Sequence, residues 1–143
     1  MERLKLRIAA YLILIKEERV LLLRRFNTGW QDGNYSLPAG HLEPRETIGE
    51  CLSREIEEEI GLKLKQESIE LVHIMHRMYS GYIDFFFVSH YQGIDPLNKE
   101  PEKCDEFKWV SIIELPENIV PSVRFAIENY AKGITFSEFN NEG

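Results

Sequence analysis

Cysteine is scarce in this chain: Cys51 and Cys104 are the only two in 143 residues. Two thiols cannot frame a disulfide-stapled secreted domain, and these stand too far apart for the short spacing of a metal-ligand set. Positive charge is also short. Seventeen Lys and Arg against 24 Asp and Glu leave a formal charge of −7. That excludes a protein that grips a nucleic-acid polymer through a broad basic face. It leaves room for small anionic substrates, because a bound cation inverts the local field. Long apolar runs are missing too. The longest, IAAYLILI from Ile8 to Ile15, is too short to span a bilayer, and its flanks lack the small-residue cleavage pattern of a signal peptide. No repeat, low-complexity tract or interdomain linker breaks the chain. These absences point to a cytoplasmic protein that engages neither a membrane nor a nucleic-acid polymer.

What is present is an ordinary globular composition, 43% apolar and 29% charged, in a length that suits one domain over residues 1–143. RIAAYLILI and RVLLLRRF, separated by the turn-like KEE, read as two strands, the first largely buried. NTGWQDGN reads as an exposed loop, and YSLPAGH as a short strand that breaks at Pro38 and Gly40. A first helix runs from Thr47 to Ile60. IELVHIMHRMY and YIDFFFVSHYQ flank Ser80-Gly81 as a long hairpin. GIDPLNKEPEKCDE reads as a polar loop and FKWVSI as one more strand. A second helix from Pro121 to Lys132 stops at Gly133. The tail from about residue 134 is either loose or laid over an edge. Strands separating two helices suit an α/β fold, a mixed sheet covered by helices on two faces.

The first helix carries an unusual load of acid. Thr47 and Glu50 form a capping box that sets its start, and Gly61 ends it. At 100° per residue, Ile48, Cys51, Leu52, Ile56 and Ile60 make one apolar stripe. Glu55 and Glu59 fall inside the range of that stripe, Glu58 lies at its edge, and Glu57 lies opposite, a solvated surface acid. Like-charged neighbours on a helix cost ~0.2–0.5 kcal/mol per pair, and an ionised carboxylate on a buried face costs more unless it is paired or holds a metal. Three carboxylates at i, i+3 and i+4 offer the oxygen ligands that Mg²⁺ or Mn²⁺ takes.

The stretch from Gly40 to Leu62 resembles the Nudix hydrolase signature: Gly, five residues, Glu, seven residues, then Arg-Glu-aliphatic-x-Glu-Glu-x-Gly-aliphatic. Gly40, Glu46, Arg54, Glu55, Ile56, Glu58, Glu59, Gly61 and Leu62 fill every fixed position. The order of strands and helices is similar to that family from about Lys5 to Lys132. The resemblance implies a Nudix-type α/β/α sandwich and Mg²⁺, with Mn²⁺ as a substitute, bound by Glu55, Glu58, Glu59 and the Gly40 carbonyl. It implies an Arg54–Glu46 ion pair that holds the loop to the helix, and a water aligned or deprotonated by either Glu55 or Glu58. The implied activity is cleavage of the diphosphate linkage of nucleoside di- and triphosphates, MutT-like. Alternatives are hydrolysis of dinucleoside polyphosphates or nucleotide sugars, or a non-catalytic nucleotide-sensing module, in a monomer or homodimer.

Several further residues are candidates by the same resemblance. Arg24, at the end of the second strand, is placed to contact substrate phosphate, with Arg25 as its neighbour. Glu106 is a further metal ligand or base, with Glu102 and Asp105 as alternatives. Trp30 and Tyr35 could stack on a base, and Tyr35 could equally pack in the core. His41 reads as a loop residue, and His73, His76 and His90 as packing or surface residues. The neighbourhood of Asn118 lacks the paired Asn or Asp by which relatives read oxidised purines, which leaves the base open.

Overall fold

The structure, a computed structural model, describes residues 1–141. β1 (Arg7–Lys16) turns at Glu17 and Glu18 into β2 (Arg19–Arg25). Both turn residues have left-handed φ values, 50° and 65°, the backbone of a two-residue hairpin whose twist matches its strands. Two short strands follow, β3 (Tyr35–Ser36) and β4 (Ala39–His41), parted at Leu37-Pro38. α1 (Ile48–Ile60) comes next, then the hairpin of β5 (Glu70–Arg77) and β6 (Tyr82–His90), β7 (Cys104–Ser111), α2 (Pro121–Ala131) and β8 (Phe136–Phe139).

Eight strands form one mixed sheet in the order β3-β2-β1-β6-β5-β8, with β4 also paired to β1 and β7 to β2. β1 lies parallel to β6 from Arg7 to Ile15. It meets β2 only near the turn, at Ile15–Val20 and Lys16–Arg19. Beyond that point the two strands part, and β4 takes the freed edge of β1 from Ala9 to Tyr11. The site described below opens at that divergence.

β1 is apolar at consecutive positions because it is buried on both faces. Ala9, Tyr11 and Ile13 pack with Val123, Ala126 and Ile127 of α2, while Ala10, Leu12 and Leu14 pack with Cys51, Leu52, Ile56 and Ile60 of α1. One helix therefore covers each face, giving the expected α/β/α sandwich. Each fully buried Leu or Ile contributes ~1.5–3 kcal/mol. The capping box on α1 is formed: the Thr47 hydroxyl accepts from the Glu50 amide, and Glu50 accepts from the Thr47 amide.

Of the two readings of the tail, the one laid over an edge holds through residue 139, where β8 adds a parallel strand to β5, pairing Ile74 with Phe136 and Arg77 with Phe139. Buried Phe139 and the bonds from His73 to the Ser137 hydroxyl and the Ile134 carbonyl fix it there. Residues 142 and 143 lie outside the described residues. The strand expected at FKWVSI starts earlier, at Cys104, where the β2–β7 register shifts between Arg24 and Arg25.

Candidate active site

α1 sets three of its carboxyls along one wall of a cleft of about 880 Å³ that opens beside β1, β2 and β4. The β4 backbone passes so close to α1 that a Cβ on Gly40 would lie 1.9 Å from the Glu55 Cγ. Only glycine permits that approach. The Gly40 carbonyl accepts the Cys51 thiol at 3.8 Å, tying the loop to the buried side of the helix.

Arg54 organises the loop. Its Nε and Nη2 donate to the two oxygens of Glu46 at 2.7 and 3.0 Å, and Nη2 also reaches the His41 carbonyl. Nη1 donates to Glu55 at 2.8 Å and lies 3.5 Å from Glu58. The two-pronged bond from Arg54 holds the Glu46 carboxyl down at about 2. Burial pushes the Glu55 carboxyl up, against the pull of Arg54, with the charges of Glu58 and Glu100 adding to the rise. Burial raises Glu59 further, to about 8. Its one hydrogen bond is from the Ala39 amide, at 3.2 Å, and no cation pairs with it among the described residues.

Those observations test whether a divalent cation suits the site. A carboxyl whose ionisation burial disfavours, two further carboxylates within one turn of it and a nearby backbone carbonyl form a hard oxygen donor set. The residues fit such an ion. Among the described residues, no three acid, histidine or cysteine side chains yet converge to coordinating distance. Arg54 Nη1 stands between Glu55 and Glu58.

The other candidates separate by strand register. Trp30 is 40% exposed on the cleft wall. The Arg25 guanidinium lies 4.8 Å from its ring and donates to the Trp30 carbonyl and the Thr28 hydroxyl. Arg24 borders the cleft, but Asp105 holds it at 2.7 Å and Glu106 at 3.2 Å. Of the two readings of Tyr35, stacking on a base gives way to packing: it is buried in the core under α2, while the next residue, Ser36, lines the cleft. Successive strand residues point to opposite faces, and β3 sends Tyr35 inward. Glu106 is likewise committed to Arg24 and does not line the cleft. Among Glu100, Glu102, Asp105 and Glu106, the acid that does is Glu100. Its loop docks on the last turn of α1 through the Leu97 and Lys99 amides, which donate to the Ile60 and Glu59 carbonyls. Nothing periodic in the loop sequence marks Glu100, so only the fold reveals it.

The family model for the NUDIX domain matches residues 5–130. The chain belongs to the NUDIX hydrolase family. Among its NUDIX relatives, the NAD-capped RNA hydrolase NudC of Chromobacterium violaceum is 33% identical over 107 residues, covering 75% of this chain and 39% of that protein. The chain thus spans about two fifths of that relative. The RNA pyrophosphohydrolase of Erythrobacter litoralis is 28% identical over 147 residues, covering 86% of this chain and 87% of that protein. In fold, it is similar to the MutT NUDIX hydrolase of Burkholderia pseudomallei, with a TM-score of 0.77 at 23% identity, covering 85% of this chain and 95% of that one.

Proposed function

We propose that this NUDIX chain acts as one domain over residues 1–143 and hydrolyses the diphosphate linkage of nucleoside di- and triphosphates, with Mg²⁺ as its cation and Mn²⁺ as a substitute. The observation that carries this reading is geometric: Glu55, Glu58 and Glu59 line one cleft with Arg25 and Trp30, and burial raises the Glu59 carboxyl above its usual range. Glu55, Glu58, Glu59 and the Gly40 carbonyl would hold the cation, with Glu100 within reach of the same volume. The bound cation supplies neutralisation of the diphosphate oxygens and a more acidic water.

The protein's own groups do the rest. Arg54, locked on Glu46, fixes the wall of the loop and positions Glu55. Glu58, whose side chain is 56% exposed and only loosely approached by Arg54, is the carboxylate free to take the proton from the attacking water. Arg25 offers positive charge to a phosphate, and its bonds to Trp30 and Thr28 restrict its motion. Trp30 presents a ring at the cleft mouth. Phosphoryl transfer asks mainly for positioning and charge stabilisation, which this set provides.

The names of the relatives favour a second reading, a diphosphate at the capped or triphosphorylated end of an RNA. The cleft would take the terminal nucleotide alone, since the formal charge of −7 offers little to a longer polymer.

The test is a screen of the purified protein with Mg²⁺ against nucleoside triphosphates, dinucleoside polyphosphates, nucleotide sugars and 5′-capped oligonucleotides, following phosphate, pyrophosphate and mononucleotide release. Turnover of nucleoside di- or triphosphates is the expected result. A folded protein that binds Mg²⁺ and turns over nothing would overturn this reading in favour of a nucleotide-sensing module.

A further inference from the structure

At the far end of the cleft from α1, the sheet presents a polar patch that the proposed chemistry does not use. Ala9 pairs with His41 of β4 on one side and Asp84 of β6 on the other. Tyr82 pairs with Arg77 of β5. All of these side chains share the sheet face that carries Tyr11. The methyl of Ala9 leaves the space between its larger neighbours open.

Arg77 and Asp84 form a two-pronged pair, Nε and Nη2 to the two carboxylate oxygens at 2.5 and 3.0 Å. They are 5% and 1% exposed, respectively. A buried ion pair is weak evidence for stability, because apolar residues of similar volume often serve as well. The guanidinium covers the Tyr82 ring at 4.3 Å, and His41 packs against the same ring at 5.4 Å. Tyr11 is only 8% exposed, yet its side chain lines the cleft.

Among the described residues, every fully buried side-chain nitrogen or oxygen has a hydrogen-bond partner. Among the same residues the Tyr11 hydroxyl and Arg77 Nη1 have none, so neither atom is fully buried, and both residues line the cleft. We propose that Tyr11 and Arg77, the latter oriented by Asp84, are the base-reading residues of the cleft and select a 6-keto purine of the guanine type over adenine. This deepens the nucleotide-hydrolase reading above and rests on it.

The chemistry follows from what the two groups offer. A guanidinium donates and never accepts, whereas a tyrosine hydroxyl turns to suit its partner. Asp84 cancels the charge of Arg77, which leaves directional donors without net charge. Such a site suits a neutral base edge better than a phosphate. Guanine presents O6 and N7 as acceptors, while adenine turns an amino group towards the same donor.

Two measurements test this. The first is calorimetric binding of GMP and AMP to the full chain with Mg²⁺, and the second is kcat/KM for GTP and ATP. Wild type is expected to favour guanine by roughly 5- to 100-fold. Tyr11→Phe should lower that ratio by about 2- to 10-fold, and the paired replacement Arg77→Met with Asp84→Leu should abolish it. Both changes should appear in KM more than in kcat. If the paired replacement does not fold, Tyr11→Phe decides alone. A guanine preference in binding that responds to these variants supports the inference even if no substrate turns over, in which case the hydrolase reading fails by itself. Robust turnover with no base preference, a preference unmoved by folded variants, or no binding of either mononucleotide overturns it.

Discussion

A carboxyl raised to about 8, as Glu59 is, keeps its proton in the folded protein while the unfolded chain loses one near 4.5. The folded state therefore binds more protons across that window, and stability falls as pH rises through it when no cation is bound. Glu59→Gln removes the decline. Thermal melts in chelator should show the variant gaining on wild type from pH 5 to pH 8.5. Adding Mg²⁺ should raise the wild-type midpoint more than that of the variant. Parallel melting curves at every pH would contradict this account of Glu59. The three acids were legible in the sequence because a helix has a fixed period, so spacing alone places Glu55, Glu58 and Glu59 together. The face of Tyr35 was not, because the face a strand residue takes depends on register. Here β3 pairs Tyr35 with Arg24 on the α2 side. Glu100 and Tyr11 had no local signal. Their position in the cleft comes from a loop docked on α1 and from the parting of β1 and β2.

Between elements, the tightest constraint is the passage of β4 across α1. Gly40→Ala places a methyl where the Glu55 side chain now lies, so Glu55 must move while the core on both sides of the sheet stays intact. A misplacement of about 1 Å in a catalytic group costs on the order of a hundredfold in rate. The variant should fold with a midpoint near wild type and lose about that much kcat, and normal activity would mean that Glu55 is not needed where it stands. Element boundaries followed local chemistry closely where that chemistry was explicit, as with the capping box at Thr47 and the glycine at Gly61. β8 was left open because its partner, β5, is some sixty residues away, and a four-residue parallel strand has no turn to announce it.

At the scale of the molecule, one helix on each face of an eight-stranded sheet supports a cleft where the sheet divides. Among the described residues, no helix is long and apolar enough to cross a membrane. The α/β/α layering could be read from strands and helices in alternation. The division of the sheet could not, since it depends on β4 replacing β2 at the edge of β1. That division brings the acids of α1, Arg25 and the patch around Arg77 into one volume of nucleotide size. The account stands or falls on Glu58. Mg²⁺-dependent release of phosphate or pyrophosphate from the best nucleotide substrate should be measured for wild type and for Glu58→Gln, with folding checked by thermal melting. A drop of at least about a hundredfold in kcat is expected, the scale of losing part of a metal site. A folded Glu58→Gln protein with wild-type turnover would contradict it.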